Sequence, residues 1–368
     1  MANKADALKA LRLAKAKLSK KYELLDKTDV KPLTVVTTGS AILDDATGVG
    51  GLGVGRLYEI YGAESCGKSS TMYSVVAEHQ KAYPDKLVAY IDVEQACNLE
   101  YMAQFGINID ELEFQQPETA EEALEIINTY AQTGAFSLIV LDSIAAMQTK
   151  AQLEKTMEDK TIGSLAGVLS PGLTKIKTTC KRTDTTLFLV NQIRDRITML
   201  GAMGFSTPGG HAPKFYSSIR IEVKRKDTVL DSSGEPIGIE VQCTFKKNKL
   251  GTPFKVVNTR IMFGKGFDFE TEYTDLAIAK GIINKSGAWL DWVSSTGETI
   301  KVQGRNNAIA TLKADKNEFE YIKKLVREHK KVVAETLTPA QIAEAEEEAK
   351  LIAKGALEEG VDLSDGDE

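Results

Sequence analysis

LYEIYGAESCGKSST, at residues 57–71, is the most informative segment of this chain. Residues 57–61 form a short apolar run of the kind that predicts a buried β-strand. A helical pattern continues from the end of the segment to about Ala82. Between the two, the sequence fits G-x-x-x-x-G-K-[ST] in full, and a complete match in that context argues against a chance glycine-rich turn. The eight residues of this octet are Gly62, Ala63, Glu64, Ser65, Cys66, Gly67, Lys68 and Ser69.

The octet predicts a site for the phosphates of ATP. Its glycines allow a tight turn, so that successive backbone N–H groups can point at a β-phosphate. The N-terminus of the following helix adds a positive dipole. Lys68 places a charge on the β and γ oxygens, and the Ser69 hydroxyl can ligate Mg²⁺. ATP and Mg²⁺ are therefore the expected cofactors, and Ser70 completes the group expected to contact the nucleotide.

Composition is that of an ordinary globular protein. The chain has 368 residues, with 42% hydrophobic and 27% charged residues. No apolar run reaches the length of a membrane span, and the basic N-terminus lacks the apolar segment of a signal peptide. The four cysteines form no C-x-x-C pair. We therefore expect a cytoplasmic protein with reduced thiols, no structural zinc and no membrane partner.

Charge is distributed unevenly along the chain. The net charge is −6, which by itself disfavours nucleic acid as a ligand. Residues 341–368, however, contain ten acidic residues and two lysines, so the rest of the chain is slightly positive. Residues 1–22 contain seven Lys and Arg residues and one Asp. Such asymmetry between the two ends is typical of proteins that handle nucleic acid.

Three further apolar runs predict strands at residues 86–92, 136–142 and 185–191. They alternate with helical patterns at residues 119–133 and 165–180, which indicates a largely parallel sheet covered on both faces. Ligands of such sheets bind at the carboxyl ends of the strands. Glu94, Asp142 and Gln192 are predicted to lie there, beside the octet.

Two carboxylates at this edge are candidates for chemistry. Asp142 ends a strand and suits a metal role, directly or through water, although it could instead cap the segment that follows. Glu94 follows a strand and could orient and deprotonate the attacking water. The alternative for Glu94 is a surface salt bridge.

Several segments together resemble the RecA family of bacterial and phage recombinases. They are VTTGSAILDDATGVGGLGVGRLYEIYGAESCGKSS, YIDVEQACN, LIVLDSIAAM, FLVNQIR and GGHAPKFYSSIR, and the resemblance is nearly collinear over residues 9–329. It implies an ATPase that forms a homo-oligomeric filament on single-stranded DNA, pairs it with duplex DNA and exchanges strands.

The resemblance also implies roles for individual residues. Glu94 matches the catalytic glutamate, and Tyr101 matches the aromatic residue that stacks on adenine. Gln192 matches a glutamine that senses the γ-phosphate. Lys247 and Lys249, in KKNKL, match lysines that reach the ATP of the adjacent subunit. A further match, Phe215 in KFY, corresponds to an interface phenylalanine.

Two DNA-binding loops follow from the same resemblance, at residues 154–163 and 193–210. The residues expected to contact DNA are Ile162, Gly163, Arg194, Arg196, Ile197, Gly209 and Gly210. The residue types of the second loop also favour DNA binding, because its arginines can bind phosphates and its apolar side chains can wedge between bases. Its glycines predict a backbone that stays mobile until DNA orders it. The alternative is that part of this stretch belongs to the core.

The predicted fold is α/β, with a P-loop RecA-type ATPase core that has a mostly parallel central sheet. We place an N-terminal oligomerisation helix and linker at residues 1–32 and the core at residues 33–266. A small α+β C-terminal domain covers residues 267–335, and a helix with an acidic tail covers residues 336–368. The apolar face of the first helix could pack on its own domain or on a neighbouring copy. The basic helix at residues 317–333 could be a solvated face or a duplex-DNA contact.

Five positions depart from the family pattern. Cys66 replaces a usual serine, Gln95 a usual histidine and His211 a usual asparagine, while Gly167 and Thr174 stand where well-known relatives have arginines. Two rival functions share the core fold: a ring-shaped helicase and a non-catalytic DNA-binding mediator. The two loops and the absence of a cysteine–zinc module favour the recombinase over the helicase, and Glu94 argues against the mediator.

Overall fold

The computed structural model describes residues 4–19, 21, 32–154, 165–197 and 203–335. The helices are α1 (Lys4–Leu18), α2 (Ala41–Thr47), α3 (Lys68–Ala82), α4 (Leu99–Ala103), α5 (Ala120–Thr133), α6 (Lys150–Leu153), α7 (Leu165–Thr183), α8 (Ala212–Tyr216), α9 (Phe269–Ala279), α10 (Arg305–Ala314) and α11 (Lys316–Glu335). The strands are β1 (Val35–Val36), β2 (Leu52–Gly53), β3 (Leu57–Gly62), β4 (Leu87–Asp92), β5 (Leu112–Gln115), β6 (Phe136–Asp142), β7 (Thr186–Gln192), β8 (Arg194–Ile197), β9 (Met203–Ser206), β10 (Ile219–Leu230), β11 (Pro236–Asn248), β12 (Val256–Met262), β13 (Gly266–Phe267), β14 (Asn284–Ser286), β15 (Trp289–Val293) and β16 (Thr299–Gln303).

A nine-stranded sheet organises the chain, in the order β13-β12-β11-β10-β3-β7-β6-β4-β5. The strands from β10 to β5 in this order are parallel to one another. β11, β12 and β13 add antiparallel pairings at one side. The predicted mostly parallel sheet is confirmed. The four strands predicted from apolar runs lie side by side in its centre, where both faces are covered.

Helices cover both faces of the sheet. On one face, Tyr58 and Ile60 of β3 pack in a core that includes Met72 and Val76 of α3. On the other face, Leu57 of β3 belongs to a second core, formed largely with α5 and α7. The side chains of β3 therefore alternate between two cores, as the period of a strand requires. This arrangement fixes the octet that follows β3 between the sheet and α3.

The antiparallel hairpin of β10 and β11 extends further than the sequence predicted. Residues 219–223 and 239–245 were the predicted strands, because only these parts are apolar enough to be recognised. The pairing continues to Leu230 and Pro236, and most of these extra residues are exposed. Backbone hydrogen bonds thus maintain the hairpin beyond the core, which hydrophobic periodicity does not report.

The second predicted DNA loop is partly regular in structure. Residues 194–197 form β8 and pair with β9, Arg194 opposite Ser206 and Ile197 opposite Met203. The sequence did not predict strands at these eight residues. Glycine content favoured a loop, but the hairpin pairs its backbone groups locally and needs no apolar core. The first predicted loop lies outside the described residues except for Glu154.

A third core lies in the C-terminal part of the chain. Trp292 is 1% exposed and packs with residues of α9, α10 and α11. The Trp292 indole donates to Glu318 Oε1 at 2.9 Å. This part contacts the central sheet region through Glu272 of α9, whose carboxylate accepts hydrogen bonds from Ser40 and Thr259. The predicted limits of the domains remain a prediction.

The helix α1 presents apolar side chains to solvent. Leu8, Leu11, Leu13 and Leu18 are each between 48% and 62% exposed. This exposure favours the interpretation in which the helix docks on a neighbouring copy. The predicted C-terminal helix and the acidic tail lie outside the described residues. In the ranges that are described, none of the helices combines the length and apolarity of a membrane span.

Candidate nucleotide and DNA site

The octet forms a sharp turn from β3 into α3. Gly67 has φ +88°, a conformation that favours glycine, and it immediately precedes the helix. A Cβ atom at Gly62 would lie 2.2 Å from the carbonyl oxygen of Val223. Glycine is therefore required at both ends of the octet, for conformation at one and for close packing at the other. The predicted strand–turn–helix context is confirmed.

Lys68 begins α3 and its side chain is directed back into the turn. Its Nζ atom donates to the carbonyl of Ala63 at 2.6 Å and to that of Gly62 at 3.3 Å. The residue is only 8% exposed. The octet's own carbonyls thus hold the ammonium group inside the turn.

Cys66 is almost fully buried inside the octet, at 1% exposure. Burial raises the pKa of its thiol, although the nearby Lys68 charge acts in the opposite direction. A neutral thiol in this place leaves the backbone N–H groups of the turn unchanged. The replacement of serine is consistent with phosphate binding by the backbone.

Ser69 and Asp142 meet at the carboxyl edge of the sheet. The Ser69 hydroxyl donates to Asp142 Oδ2 at 2.9 Å, and the Tyr90 hydroxyl donates to the same oxygen at 2.6 Å. Burial raises the pKa of Asp142, and the two hydroxyl donors oppose that shift. No side chain caps the 3-10 turn that follows, so the capping alternative for Asp142 is wrong.

A hydroxyl and a carboxylate are suitable oxygen ligands for Mg²⁺, which keeps several waters and needs few protein ligands. The described residues contain no group of three or more His, Cys, Asp and Glu side chains arranged for a metal. A site of this kind suits an ion held mainly by nucleotide phosphates and water. The donor set therefore fits Mg²⁺ bound together with a nucleotide.

Glu94 lies just beyond the end of β4 and is exposed. Its Oε1 atom accepts a hydrogen bond from the Gln192 side-chain amide at 2.8 Å and a second one from the Ser143 hydroxyl. Neither partner is charged, so the salt-bridge alternative for Glu94 finds no support in the part of the chain that the structure describes. The structure thus joins Glu94 directly to Gln192, the last residue of β7, as the edge rule for parallel sheets predicts.

Tyr101 lies in α4 and packs against the core that contains α3. Its ring packs edge-on against Phe105, with centroids 5.3 Å apart, and against Tyr73 at 6.4 Å. The Tyr101 hydroxyl accepts a hydrogen bond from the backbone N–H of Gly264 at 3.3 Å. The ring is partly exposed and fixed by these contacts, as a platform for an adenine ring would be.

Lys247 and Lys249 lie away from the octet of their own subunit. Lys247 of β11 is opposite Arg220 of β10, and Arg220 is in turn opposite Glu59 of β3. The octet begins at Gly62, three residues further along β3 than Glu59. Three residues of a strand span about 10 Å. Lys247 is therefore displaced from the start of the octet toward the amino ends of the parallel strands.

Phe215 lies next to these lysines and is 68% exposed. The Lys247 Nζ atom donates to the carbonyls of Lys214 at 2.6 Å and Phe215 at 3.0 Å. Burial, followed by the charges of Lys249 and Arg220, lowers the pKa of Lys247 to about 8. An exposed aromatic ring beside a lysine of lowered pKa is consistent with an interface at this end of the sheet.

The second predicted DNA loop begins directly after Gln192. The Arg194 guanidinium is exposed and donates to the carbonyl of Ala145 at 2.9 Å. Arg196 and Ile197 belong to β8. Gly209 and Gly210 have φ of +88° and +70°, and a Cβ at Gly209 would lie 2.8 Å from a Leu169 methyl group. The predicted contacts Ile162 and Gly163 lie outside the described residues.

The departures after the first loop have different local settings. A Cβ atom at Gly167 would meet nothing within 4 Å, so packing does not require glycine there. Thr174 shares a hydrogen bond of 2.6 Å with the Tyr216 hydroxyl. The His211 ring lies 5.9 Å from that of Phe215.

Sequence reasoning missed several residues of this region. Tyr90 was not singled out and Ser143 was not assigned to the site, although Tyr90 contacts Asp142 and Ser143 contacts Glu94. Ser143 follows Asp142 directly, so its position after a predicted strand could have indicated it. Asn191 and Glu59 lie inside apolar strands and hydrogen-bond to each other at 3.1 Å. A polar residue in the middle of an otherwise apolar strand was the available signal.

Two family comparisons cover almost all of the described chain. Residues 9–268 match the RecA N-terminal domain, and residues 271–331 match the RecA C-terminal domain. The division between them falls close to the start of α9.

Curated relatives named Protein RecA match over most of their length. The protein of Nautilia profundicola is 39% identical over 320 residues, which is 84% of this chain and 88% of the relative. That of Bordetella petrii is 39% identical and covers 86% of this chain and 87% of its own length. That of Lactobacillus acidophilus is 38% identical over 88% of each chain.

Among solved structures, a RadB recombinase is 20% identical, with a TM-score of 0.46 over 63% of this chain and 97% of that one. The family matches and the curated relatives cover the octet, both sides of the sheet and the C-terminal core together. The chain therefore belongs to the RecA family, the DNA-dependent ATPases of recombination and repair.

Proposed function

We propose that this protein binds ATP with Mg²⁺ at the octet and hydrolyses it while assembled as a filament on single-stranded DNA, pairing that strand with duplex DNA. The observation that carries the proposal is the set of contacts at the carboxyl edge of the sheet. Ser69 is bonded to Asp142, and Glu94 to Gln192, beside the octet. In the proposal, these side chains act as metal ligands, as a base and as the residue that precedes a DNA loop.

Each residue at this edge has a distinct role in the proposal. Lys68 and the backbone N–H groups of the octet bind the β and γ phosphates. Ser69 and Asp142 hold Mg²⁺, which when bound neutralises charge on the phosphate oxygens. Glu94 orients the attacking water and accepts its proton. Gln192 passes the state of the γ-phosphate to the loop at residues 193–210.

The active site is completed by a second subunit in this proposal. Lys247 and Lys249 of one subunit approach the triphosphate held by the octet of the next. Their charge offsets negative charge that spreads over the transferred phosphoryl group. Support comes from their distance from the octet of their own chain and from the exposed Phe215 beside them. The leucines of α1 supply a further contact between copies.

Four cysteines without a disulfide among the described residues support a reducing compartment, so we place the protein in the cytoplasm. DNA binding is assigned to the loops at residues 154–163 and 193–210. Arg194 supplies phosphate charge in this assignment. The basic helix α11 is a secondary candidate for duplex DNA. Two of its lysines pair with glutamates of the same helix: Lys323 with Glu320, and Lys324 with Glu328.

Electron microscopy with single-stranded DNA and a slowly hydrolysed ATP analogue tests the assembly. We expect continuous helical filaments; closed rings would instead favour the helicase. Phosphate release that depends on DNA would separate the recombinase from a non-catalytic mediator. Lys68→Ala is the control, because it removes phosphate binding and should abolish both results.

A mixing experiment tests the composite site. A Lys68→Ala protein and a Lys247→Ala/Lys249→Ala protein are each expected to be inactive alone. Mixed filaments should regain part of the activity, because some interfaces combine an intact octet with intact lysines. Lack of rescue in filaments shown to contain both proteins would place the lysines outside the active site.

A further inference from the structure

A row of polar side chains crosses the central sheet beneath α8. Its members are Asn191 of β7, Glu59 of β3, Arg220 of β10 and Lys247 of β11, and we call them the polar row. Glu59 is completely buried although it lies in the middle of an apolar strand. A buried carboxylate costs free energy unless it is paired and hydrogen-bonded. Its retention here calls for a physical explanation.

Strand register places these side chains next to one another. Arg220 is opposite Glu59 in the parallel pair of β10 and β3, and opposite Lys247 in the antiparallel pair of β10 and β11. Asn191 is opposite Tyr61, two residues beyond Glu59 and on the same face of β3. The polar row therefore runs across four adjacent strands.

The central pair of the polar row is fully engaged. Arg220 Nε donates to Glu59 Oε2, and the side chains are 12% and 0% exposed. The Arg220 guanidinium also lies over the Tyr61 ring, 4.7 Å from its centroid. Asn191 Nδ2 donates to Glu59 Oε1 at 3.1 Å. The buried charge is thus compensated by one cation and one amide.

The Asn191 end of the polar row contacts the second DNA loop. Besides Glu59, Asn191 Nδ2 donates to the carbonyl of Pro208 at 3.1 Å. Pro208 precedes Gly209 and Gly210, whose positive φ angles turn the chain toward α8. Asn191 also precedes Gln192, so the two ends of the loop are held by consecutive residues of β7.

The Lys247 end contacts the other end of α8. Its Nζ donates to the carbonyls of Lys214 and Phe215. One polar row therefore holds the segment between the DNA loop and the exposed Phe215 at both of its ends. Arg220 lowers the pKa of Lys247 and Glu59 raises it, so the charges within the polar row influence one another.

Lys247 has two competing uses if the proposed function holds. Its ammonium group can donate to the α8 carbonyls of its own subunit or to the phosphates of the next subunit's ATP. Moving to the phosphates would remove two hydrogen bonds from the end of α8. The remaining contacts of the polar row would then connect that change to Pro208 and the DNA loop.

We propose that the polar row couples nucleotide at the subunit interface to the second DNA loop, by holding α8 at both ends in the absence of a neighbour's ATP and releasing it in its presence. Asn191, Glu59 and Arg220 are positioning residues in this proposal, since they act through Lys247 and α8. The inference rests on the proposed function of Lys247.

The test uses the full chain with Asn191→Leu, which removes both amide hydrogen bonds at similar volume. Thr186→Val is the matched control, because Thr186 is also buried in β7 and its hydroxyl has no partner among the described residues. DNA affinity is measured with and without ATP analogue. We expect the ratio of the two affinities to fall about 5-fold or more in Asn191→Leu, a typical allosteric effect. The control should retain the parent ratio.

Glu59→Gln is the second variant, for use if Asn191→Leu folds poorly. It preserves the shape of the Glu59 side chain and removes its charge. Hydrogen exchange of the Phe215 and Ser217 amides gives an independent readout, since Phe215 donates to the carbonyl of His211 and Ser217 to that of Pro213, at the two ends of α8. Exchange should rise with DNA and analogue in the parent, and should already be fast without ligand in both variants. A parent-like affinity ratio in a folded variant would overturn the proposal. If the DNA affinity of the parent protein is the same with and without the ATP analogue, the proposed function is overturned as well.

Discussion

Replacing Glu94 with Gln separates chemistry from binding at the edge of the sheet. Ser143 and Gln192 both donate to Oε1, so Oε1 is engaged in the structure. Among the described residues, none donates to Oε2, which leaves this oxygen for water. A glutamine can place its amide oxygen where Oε1 was and keep both donors. Its amide nitrogen then takes the position of Oε2, where it cannot accept a proton.

The expected loss follows from the value of a general base. Such catalysis contributes about 10²–10⁴-fold in rate. At about 1.36 kcal/mol for each tenfold step, Glu94→Gln should raise the barrier to hydrolysis by about 3–5 kcal/mol. Nucleotide affinity should change by less than about 3-fold, because the octet is untouched.

Phosphate release on saturating single-stranded DNA measures the rate, and a fluorescent ATP analogue measures the affinity. Glu111→Gln is the matched control, because it makes the same chemical change at an exposed position before β5. Hydrolysis by Glu94→Gln at the parent rate would refute the assignment of the base. An equal loss of rate and affinity would show that Glu94 organises the site instead.

Three further predictions concern charge and assembly. The pKa of Lys247 is lowered to about 8, so this lysine loses its positive charge as pH rises through about 8. The rate of DNA-dependent ATP hydrolysis should fall over the same range. In a pH–rate series, Lys247→Arg should retain activity to higher pH, because arginine keeps its charge. Burial raises the pKa of Glu272 from 4.5 to about 7, so the folded state binds this proton more tightly than the unfolded state does. The resulting stabilisation is fully present below pH about 4.5 and is lost as pH rises through about 7. Thermal unfolding of Glu272→Gln should therefore depend less on pH than that of the parent. Phe215 is 68% exposed, so Phe215→Ala should shorten the filaments seen in electron micrographs and leave the unfolding temperature unchanged. A fall in both filament length and unfolding temperature would instead indicate a role in folding.

The central strands and the octet could be predicted from the sequence because burial on both faces leaves a continuous apolar run. Once four such strands are recognised, the edge rule for parallel sheets brings Asp142 and Gln192 to the same end as the octet. The structure confirms that proximity, with Ser69 on Asp142 and Glu94 on Gln192. Short-range pattern and topology were sufficient for these contacts.

The polar row was not predictable in the same way. Glu59 lies within LYEIYG and reads as an isolated polar residue in an apolar strand, and its partner Arg220 is 161 positions away. Periodicity reports which face a residue occupies but not which residue lies opposite on a neighbouring strand. The β8–β9 hairpin was missed for a related reason, since its pairing depends on local backbone hydrogen bonds in a glycine-rich stretch.

The segment at residues 193–210 is anchored at two consecutive residues of β7, which has an evolutionary consequence. Gln192 directly precedes this segment and Asn191 holds Pro208 near its end, so the chain leaves and returns at almost one point on the sheet. Closing a longer loop at a fixed point costs little, about 0.6 kcal/mol for each doubling of its length. Insertions, deletions or a transplanted loop from another recombinase should therefore be tolerated by the ATPase fold. Natural selection can vary this segment as a separate module while the sheet beneath it stays constant.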